Sequence, residues 1–258
     1  MAGTKHQRHP VLCDLDGVIW LGDEPIPGSA DAVASLRAAG HPVLFVTNFS
    51  FAPVEETEAK LARHGIPAEG AVITSAQAAA HLVEPDDRVL VCAGPGVEQA
   101  VEARGAEVVT RGRIDAVIVG FHRTFDFEVM TRASAAVRNG ARFIGTNDDA
   151  TYPTPAGPIP GGGAILASVA VASGVTPIVA GKPHRAMAAL VHERLGGLSP
   201  DTVMVGDRAS TDGLFAVQLG CRYGHVCSGV SRPGDAVEPR PAITGDNLAD
   251  LVRQLLRP

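Results

Sequence analysis

Aromatic side chains are scarce in this chain: 4% of its 258 residues, with one tryptophan and two tyrosines. The core must therefore be built from Val, Leu, Ile and Ala. Positive charge is scarce too, with 22 Lys and Arg against 28 Asp and Glu, for a net charge of −6. That balance excludes general nucleic-acid binding, which needs a basic face. It does not exclude an anionic small molecule, because a metal ion or one lysine can reverse the field locally. The four cysteines, Cys13, Cys92, Cys221 and Cys227, form no CxxC pair. They read as small buried side chains in a reducing cytoplasm. Long apolar runs are missing as well. The uncharged segment 161–181 opens with three glycines and is broken by Gly174 and Pro177. It predicts a buried helix over about Ala164–Ser173 and then a short strand, not a membrane span. The start, "MAGTKHQRHP", is polar and basic, and the apolar run after it is cut by Asp14 and Asp16, so no signal peptide is expected.

What is present is alternation. Strand-like runs occur at 11–15, 42–47, 88–92, 115–120, 142–146, 176–181 and 202–207. Helical patterns lie between them at 29–39, 53–64, 97–104, 127–138, 184–195 and 212–219. Gly40, Gly65, Gly105, Gly140, Gly196 and Gly220 each follow one of these patterns, where a left-handed stop is expected. Such alternation implies βαβ units and a mainly parallel sheet. The expected fold is α/β: a Rossmann-like catalytic core of residues 1–79 and 179–258, with residues 80–178 inserted as a second α/β domain, a cap. No tandem repeat or low-complexity tract is apparent.

In open parallel sheets, functional groups collect at the carboxyl ends of strands. Asp14 and Asp16, Thr47, Lys182 and Asp207 all sit at or just after such ends. Two aspartates two residues apart repel each other and lose solvation if buried, so something must offset that cost. Magnesium does so, since it prefers octahedral oxygen ligands and is held by one or two carboxylates with phosphate oxygens and water. Asp14 and Asp207 are the expected ligands, with Asp16 adding its main-chain carbonyl. Asp212 is expected to orient Asp207, a metal-bound water or Lys182. A phosphate monoester fits this arrangement. Asp14 would attack phosphorus in line, and Asp16 would protonate the leaving oxygen and later activate water. Lys182 would supply positive charge, Thr47 a hydroxyl, and the main chain around Asn48 further donors.

The ordered set DLDGV (14–18), VTN (46–48), GKP (181–183) and GDRxxTD (206–212) resembles the four motifs of the haloacid dehalogenase-like phosphohydrolases. Within them it is similar to the 4-nitrophenylphosphatase-like, class IIA branch. The likeness runs from about Val11 to Leu255. It implies a Rossmann-like core, a large α/β cap after the second motif, magnesium dependence, and the roles just given, with Gly17 and Asn48 in the phosphate loop. The chain departs from the branch at Phe49, where a second Asn is frequent, and in the cap at His122 and Phe127. It departs again at Gly213, where an aliphatic residue is usual.

Other readings of single motifs are weaker. A calcium loop would put glycine sixth and follow a helix, whereas Gly17 is fourth and follows a strand. "AGPG" at 93–96 lacks the third glycine of a dinucleotide fingerprint and reads as a helix-start turn. Two alternatives to a phosphatase stay open: a phospho-accepting, receiver-like switch and a DxD metal-dependent glycosyltransferase. Trp20 is expected in a flap over the site. The loop 147–163, rich in Pro and Gly, is expected to face the site from the cap, with Asn147, Asp148 and the Gly161–Gly163 turn touching the leaving group. The expected substrate is a small phosphorylated metabolite: a sugar phosphate, glycerol phosphate, phosphoglycolate or nucleoside monophosphate. No nucleic-acid or membrane partner is expected, the location is expected to be cytoplasmic, and self-association through the cap is left open.

Overall fold

The computed structural model describes residues 8–152, 157–231 and 234–257. The opening segment and four residues of the 147–163 loop lie outside them. Contacts divide the chain into two units, one of Met1–Val46, Glu58–Val72 and His192–Pro258, the other of Thr47–Thr57 and Ile73–Val191.

A six-stranded sheet organises the first unit, in the order Ile243–Gly245, Arg222–Val226, Val203–Gly206, Val11–Cys13, Val43–Thr47, Val72–Thr74. The first five run parallel. The chain starts in the middle with Val11–Cys13, moves outward on one side, then returns to the other side through Val203–Gly206. The strand order therefore reverses between Val11–Cys13 and Val203–Gly206, which pair in register from Val11↔Val203 to Cys13↔Val205. Strands buried on both faces read as continuous apolar runs, and VLC and VMVG are fully buried. The crevice beyond the carboxyl ends at such a reversal is where open α/β sheets bind ligands.

A five-stranded, wholly parallel sheet organises the second unit, in the order Ile178–Val179, Arg142–Gly145, Ala116–Val119, Arg88–Cys92, Glu107–Val108. Helices Phe127–Arg138 and Gly162–Ser173 cover it through Val137, Leu166 and Val169. Asp126 caps the first of these, accepting the Val129 N–H at 2.8 Å. The uncharged segment 161–181 becomes the 12-residue helix Gly162–Ser173, ended by Gly174 at φ 72°, and then the Ile178–Val179 strand. Among the described residues, no helix is long and apolar enough to cross a membrane.

All six glycines expected to stop helices have positive φ. The α/β fold with parallel sheets is as expected. The predicted strand at 202–207 is followed by Arg222–Val226 and Ile243–Gly245, which the sequence reading did not find: Arg222 and Gly224 interrupt the first, and the second is only three residues long. The helix expected from Asp212 starts instead at Leu214, after a π-helical turn over Ala209–Gly213. Phe45, fully buried on the strand Val43–Thr47 of the larger sheet, tests this packing. Phe45→Ala is expected to lower the unfolding free energy by about 3–5 kcal/mol, read from urea denaturation.

Candidate active site

In the first unit the carboxylates come together where the strand order reverses. Asp14 follows Val11–Cys13 and donates its N–H to Val205 O at 2.9 Å, so its backbone is locked to the neighbouring strand. Asp207 directly follows Val203–Gly206. Asp212 is brought back by the π-helical turn, in which its N–H reaches Arg208 O at 2.7 Å and its Oδ2 accepts the Arg208 N–H at 3.2 Å. One carboxylate oxygen from each of Asp14, Asp207 and Asp212 lies within 4.8 Å of the others, and Asp207 and Asp212 are buried. π-Helical insertions are frequent at functional sites, and this one turns a carboxylate inward that a plain α-helix starting at Leu214 would not carry.

Glycines make the room. A Cβ on Gly17 would sit 2.5 Å from the Asp207 carboxylate, one on Gly229 would sit 1.9 Å from it, and one on Gly206 would sit 2.1 Å from that of Asp212. The loop 228–231 completes the enclosure. Val230 N–H donates to Asp207 Oδ2 at 2.8 Å, Ser231 Oγ to Asp207 O at 2.9 Å, and Ser228 Oγ to Gly17 O at 2.7 Å. The sequence reading missed this loop; its one signal is the small, polar "CSGVS" after a strand that was itself missed. Three hard carboxylate oxygens, without sulfur or imidazole, in a glycine-lined enclosure suit a magnesium or calcium ion.

Asp16 is not part of that group. Its Oδ1 accepts the Trp20 indole N–H at 3.1 Å. Burial pushes its carboxyl up to about 6, with the Asp14 charge adding to the rise and Lys60 and the indole opposing it. The two aspartates of DLDG thus differ in environment. Asp14 joins the acidic group, while Asp16 turns to the indole and has a carboxyl suited to holding a proton.

The second unit holds the other predicted residues. Thr47 is buried at the end of its strand, and its Oγ1 accepts the Phe49 N–H at 3.0 Å. Asn48 grips the Lys182 main chain from both sides: Oδ1 accepts the Lys182 N–H at 2.7 Å, and Nδ2 donates to Lys182 O at 3.0 Å. The same Nδ2 reaches Asp149 Oδ2 at 3.0 Å, and Asn48 O accepts Ser75 Oγ and Asn147 Nδ2. Lys182 itself is 1% exposed. Only glycine fits before it, since a Cβ on Gly181 would stand 2.6 Å from both Asn48 Oδ1 and Thr146 O. Asn147 is buried, and its side chain links Asn48 O to the Asp149 N–H. Asp148 pairs with His184 at 3.0 Å, and that hydrogen bond holds its carboxyl below the usual carboxylate range. Phe49 lies against Tyr152, which also meets Phe121. The AGPG segment is a helix start, as expected. A Cβ on Gly94 or Gly96 would fall within 2.4 Å of Phe51 or Ala52, and the Gly96 N–H is bonded to Phe51 O.

Residues 11–107 match the family model of the haloacid dehalogenase-like hydrolases, and residues 179–251 match a second model of HAD-hydrolase-like proteins. An acid sugar phosphatase of Staphylococcus saprophyticus is 34% identical over 95% of this chain and 96% of its own length. The chain belongs to the haloacid dehalogenase-like hydrolases. The glycerol phosphate phosphatase of Mycobacterium tuberculosis, solved with magnesium, superposes with a TM-score of 0.87 at 34% identity, over 95% of this chain and 77% of that one. A p-nitrophenyl phosphatase of Archaeoglobus fulgidus superposes with a TM-score of 0.90 at 27% identity, over 96% and 100%. The resemblance read from the four motifs is therefore borne out, and the receiver and glycosyltransferase readings fall away: this HAD hydrolase is a phosphoric monoester hydrolase.

Two tests follow from the geometry. Gly229→Ala pushes a methyl group into the Asp207 carboxylate and is expected to weaken magnesium binding by about tenfold or more, measured by calorimetric titration. Asp148→Asn is expected to cost about 0.5 kcal/mol or less, since the pair with His184 is half-exposed. Because the folded Asp148 pKa is depressed, this contribution is present above the unfolded carboxylate pKa and vanishes as pH falls through the folded one. Stability curves of the two proteins should therefore converge in acid.

Proposed function

We propose that the protein is a divalent-cation-dependent phosphatase hydrolysing small phosphate monoesters through an aspartyl-phosphate on Asp14. The grouping of the Asp14, Asp207 and Asp212 oxygens carries this reading. Asp14 and Asp207, with the Asp16 main chain, would hold magnesium, which would neutralise the carboxylates and the phosphoryl oxygens, while Asp212 beside them would orient Asp207 or a metal-bound water. The Asp14 carboxylate attacks phosphorus in line, and the bond from phosphorus to the leaving oxygen breaks as Asp16 gives that oxygen its proton. Asp16, now ionised, takes a proton from the water that attacks the aspartyl-phosphate, so that inorganic phosphate departs and Asp14 is restored. A carboxyl raised to about 6 keeps a proton nearer to neutral pH than an ordinary aspartic acid, which supports this role.

Lys182 is assigned to the phosphoryl oxygens. Its burial supports the assignment, because an ammonium is tolerated in such a place only where anions face it. Thr47 and the main chain of Gly17 and Asn48 are assigned to the same group, and Asn147 and Asp148 to the side of the leaving group. Residues 1–79 and 179–258 are proposed as the catalytic core and 80–178 as the cap; the two main sheets draw on 11–74 with 203–245, and on 88–179, respectively. Sugar phosphates, glycerol phosphate, phosphoglycolate and nucleoside monophosphates are the proposed substrates, the first, second and fourth matching the names of similar enzymes. A cytoplasmic location agrees with four cysteines that are all free thiols. Self-association is proposed to run through the cap.

A screen over phosphorylated metabolites tests the reading. Phosphate release is expected with magnesium, lost with chelator and restored by excess metal. Asp14→Asn is expected to lower turnover by about a thousandfold or more; near wild-type turnover in that variant rules out the mechanism.

A further inference from the structure

The first unit contains a closed chain of contacts that the proposed mechanism has not used. After Asp16 the backbone doubles back: Gly17 N–H donates to Trp20 O at 2.8 Å, and Ile19 N–H to Leu15 O at 2.8 Å. Trp20 thereby enters a two-stranded ribbon, Trp20–Leu21 with Glu24–Pro25, with its indole turned back onto Asp16 Oδ1. The indole is 4% exposed and lies 5.8 Å from the His64 ring. Lys60, on the helix Val54–Arg63, closes the assembly. Its Nζ stands 4.3 Å over the Trp20 ring, donates to Gly22 O at 2.6 Å and pairs with Asp23 at 3.3 Å. The Asp23 contact is weak because that side chain is fully exposed. The ring contact and the carbonyl hold the ribbon.

We propose that Trp20, clamped by Lys60, is a positioning residue that dictates which oxygen of Asp16 carries the proton delivered to the leaving group. The inference rests on the phosphatase reading above. Indole N–H is a donor only. While it occupies Oδ1, a protonated Asp16 carries its hydrogen on Oδ2, which leaves that oxygen as the one with a proton to give. Without the indole the proton is shared between two oxygens and the carboxyl turns more freely about its Cβ–Cγ bond. The loss falls on the step in which the leaving oxygen needs a proton, and it scales with the basicity of that oxygen. A 4-nitrophenolate departs with little help, whereas an alkoxide from a sugar or glycerol does not depart unprotonated.

The test compares Trp20→Phe, which keeps a ring beneath Lys60 but deletes the donor, with the wild-type protein on 4-nitrophenyl phosphate and on an alkyl phosphate. The readout is kcat/KM, which covers only the steps up to formation of the aspartyl-phosphate. The expected loss is about tenfold or more on the alkyl ester and less than about threefold on the aryl ester. Equal losses on both esters, or none on either, overturn the inference while leaving the phosphatase reading intact. No turnover of either ester by the wild-type protein overturns the phosphatase reading itself. Trp20 is the sole tryptophan, so its emission reports the contact without catalysis. In magnesium-free protein, Asp16→Ala and Lys60→Met are each expected to shift the emission maximum. An unshifted spectrum for Asp16→Ala removes the contact, and one for Lys60→Met removes the clamp.

Discussion

Carboxylates crowded into one partly dry place repel one another, and the first unit is arranged around that repulsion. Asp14, Asp207 and Asp212 hold oxygens within 4.8 Å of each other at the one place where the strand order of the larger sheet reverses. Water alone would favour spreading them apart. The fold prevents this by securing the backbone or the carboxylate of each: Asp14 through Val205, Asp212 through the Arg208 turn, and Asp207 through Val230 and Ser231. Gly17, Gly206 and Gly229 let those segments approach to distances that a side chain would forbid. Such a cluster is electrostatically incomplete by construction, and a divalent cation completes it.

The same economy governs the second unit. Lys182 is buried, and the chain around it is immobilised by the shortest amide side chain available, with Asn48 pairing to both its N–H and its carbonyl as a neighbouring strand would. Asn147 and Asp149 then join that amide to the loop beginning at Thr146. Phosphoryl transfer gains most from charges held in place before the substrate arrives. Hydrogen bonds from short side chains to main-chain atoms hold position at little entropic cost. Asn48 therefore matters through its side chain as a brace, beyond the donor expected from its main chain.

Much of this is legible in the sequence. The parallel α/β plan follows from alternating apolar runs and helix-stopping glycines, because strand and helix periodicities are local. The acidic strand ends stand out because polar residues directly after VLC and VMVG have few structural uses. The strands Arg222–Val226 and Ile243–Gly245 were not legible. Their short, interrupted patterns gain burial only from the sheet they join, a non-local effect. The loop 228–231 went unseen with them, since its role depends on reaching residues about 20 and 210 positions away in sequence.

The separation of duties between Asp14 and Asp16 marks the boundary between the two kinds of information. Residue order alone specifies that two carboxylates follow the first strand, that a lysine and a second acidic pair follow later ones, and that their order is that of a hydrolase family. Packing in three dimensions gives Asp14 the company of Asp207 and Asp212 while Asp16 turns to an indole, and brings Asp212 to the group through a π-helical turn. Residue type and spacing fix which groups a strand end can offer. Which oxygen meets which partner depends on packing between segments far apart in the chain, and no local pattern records that.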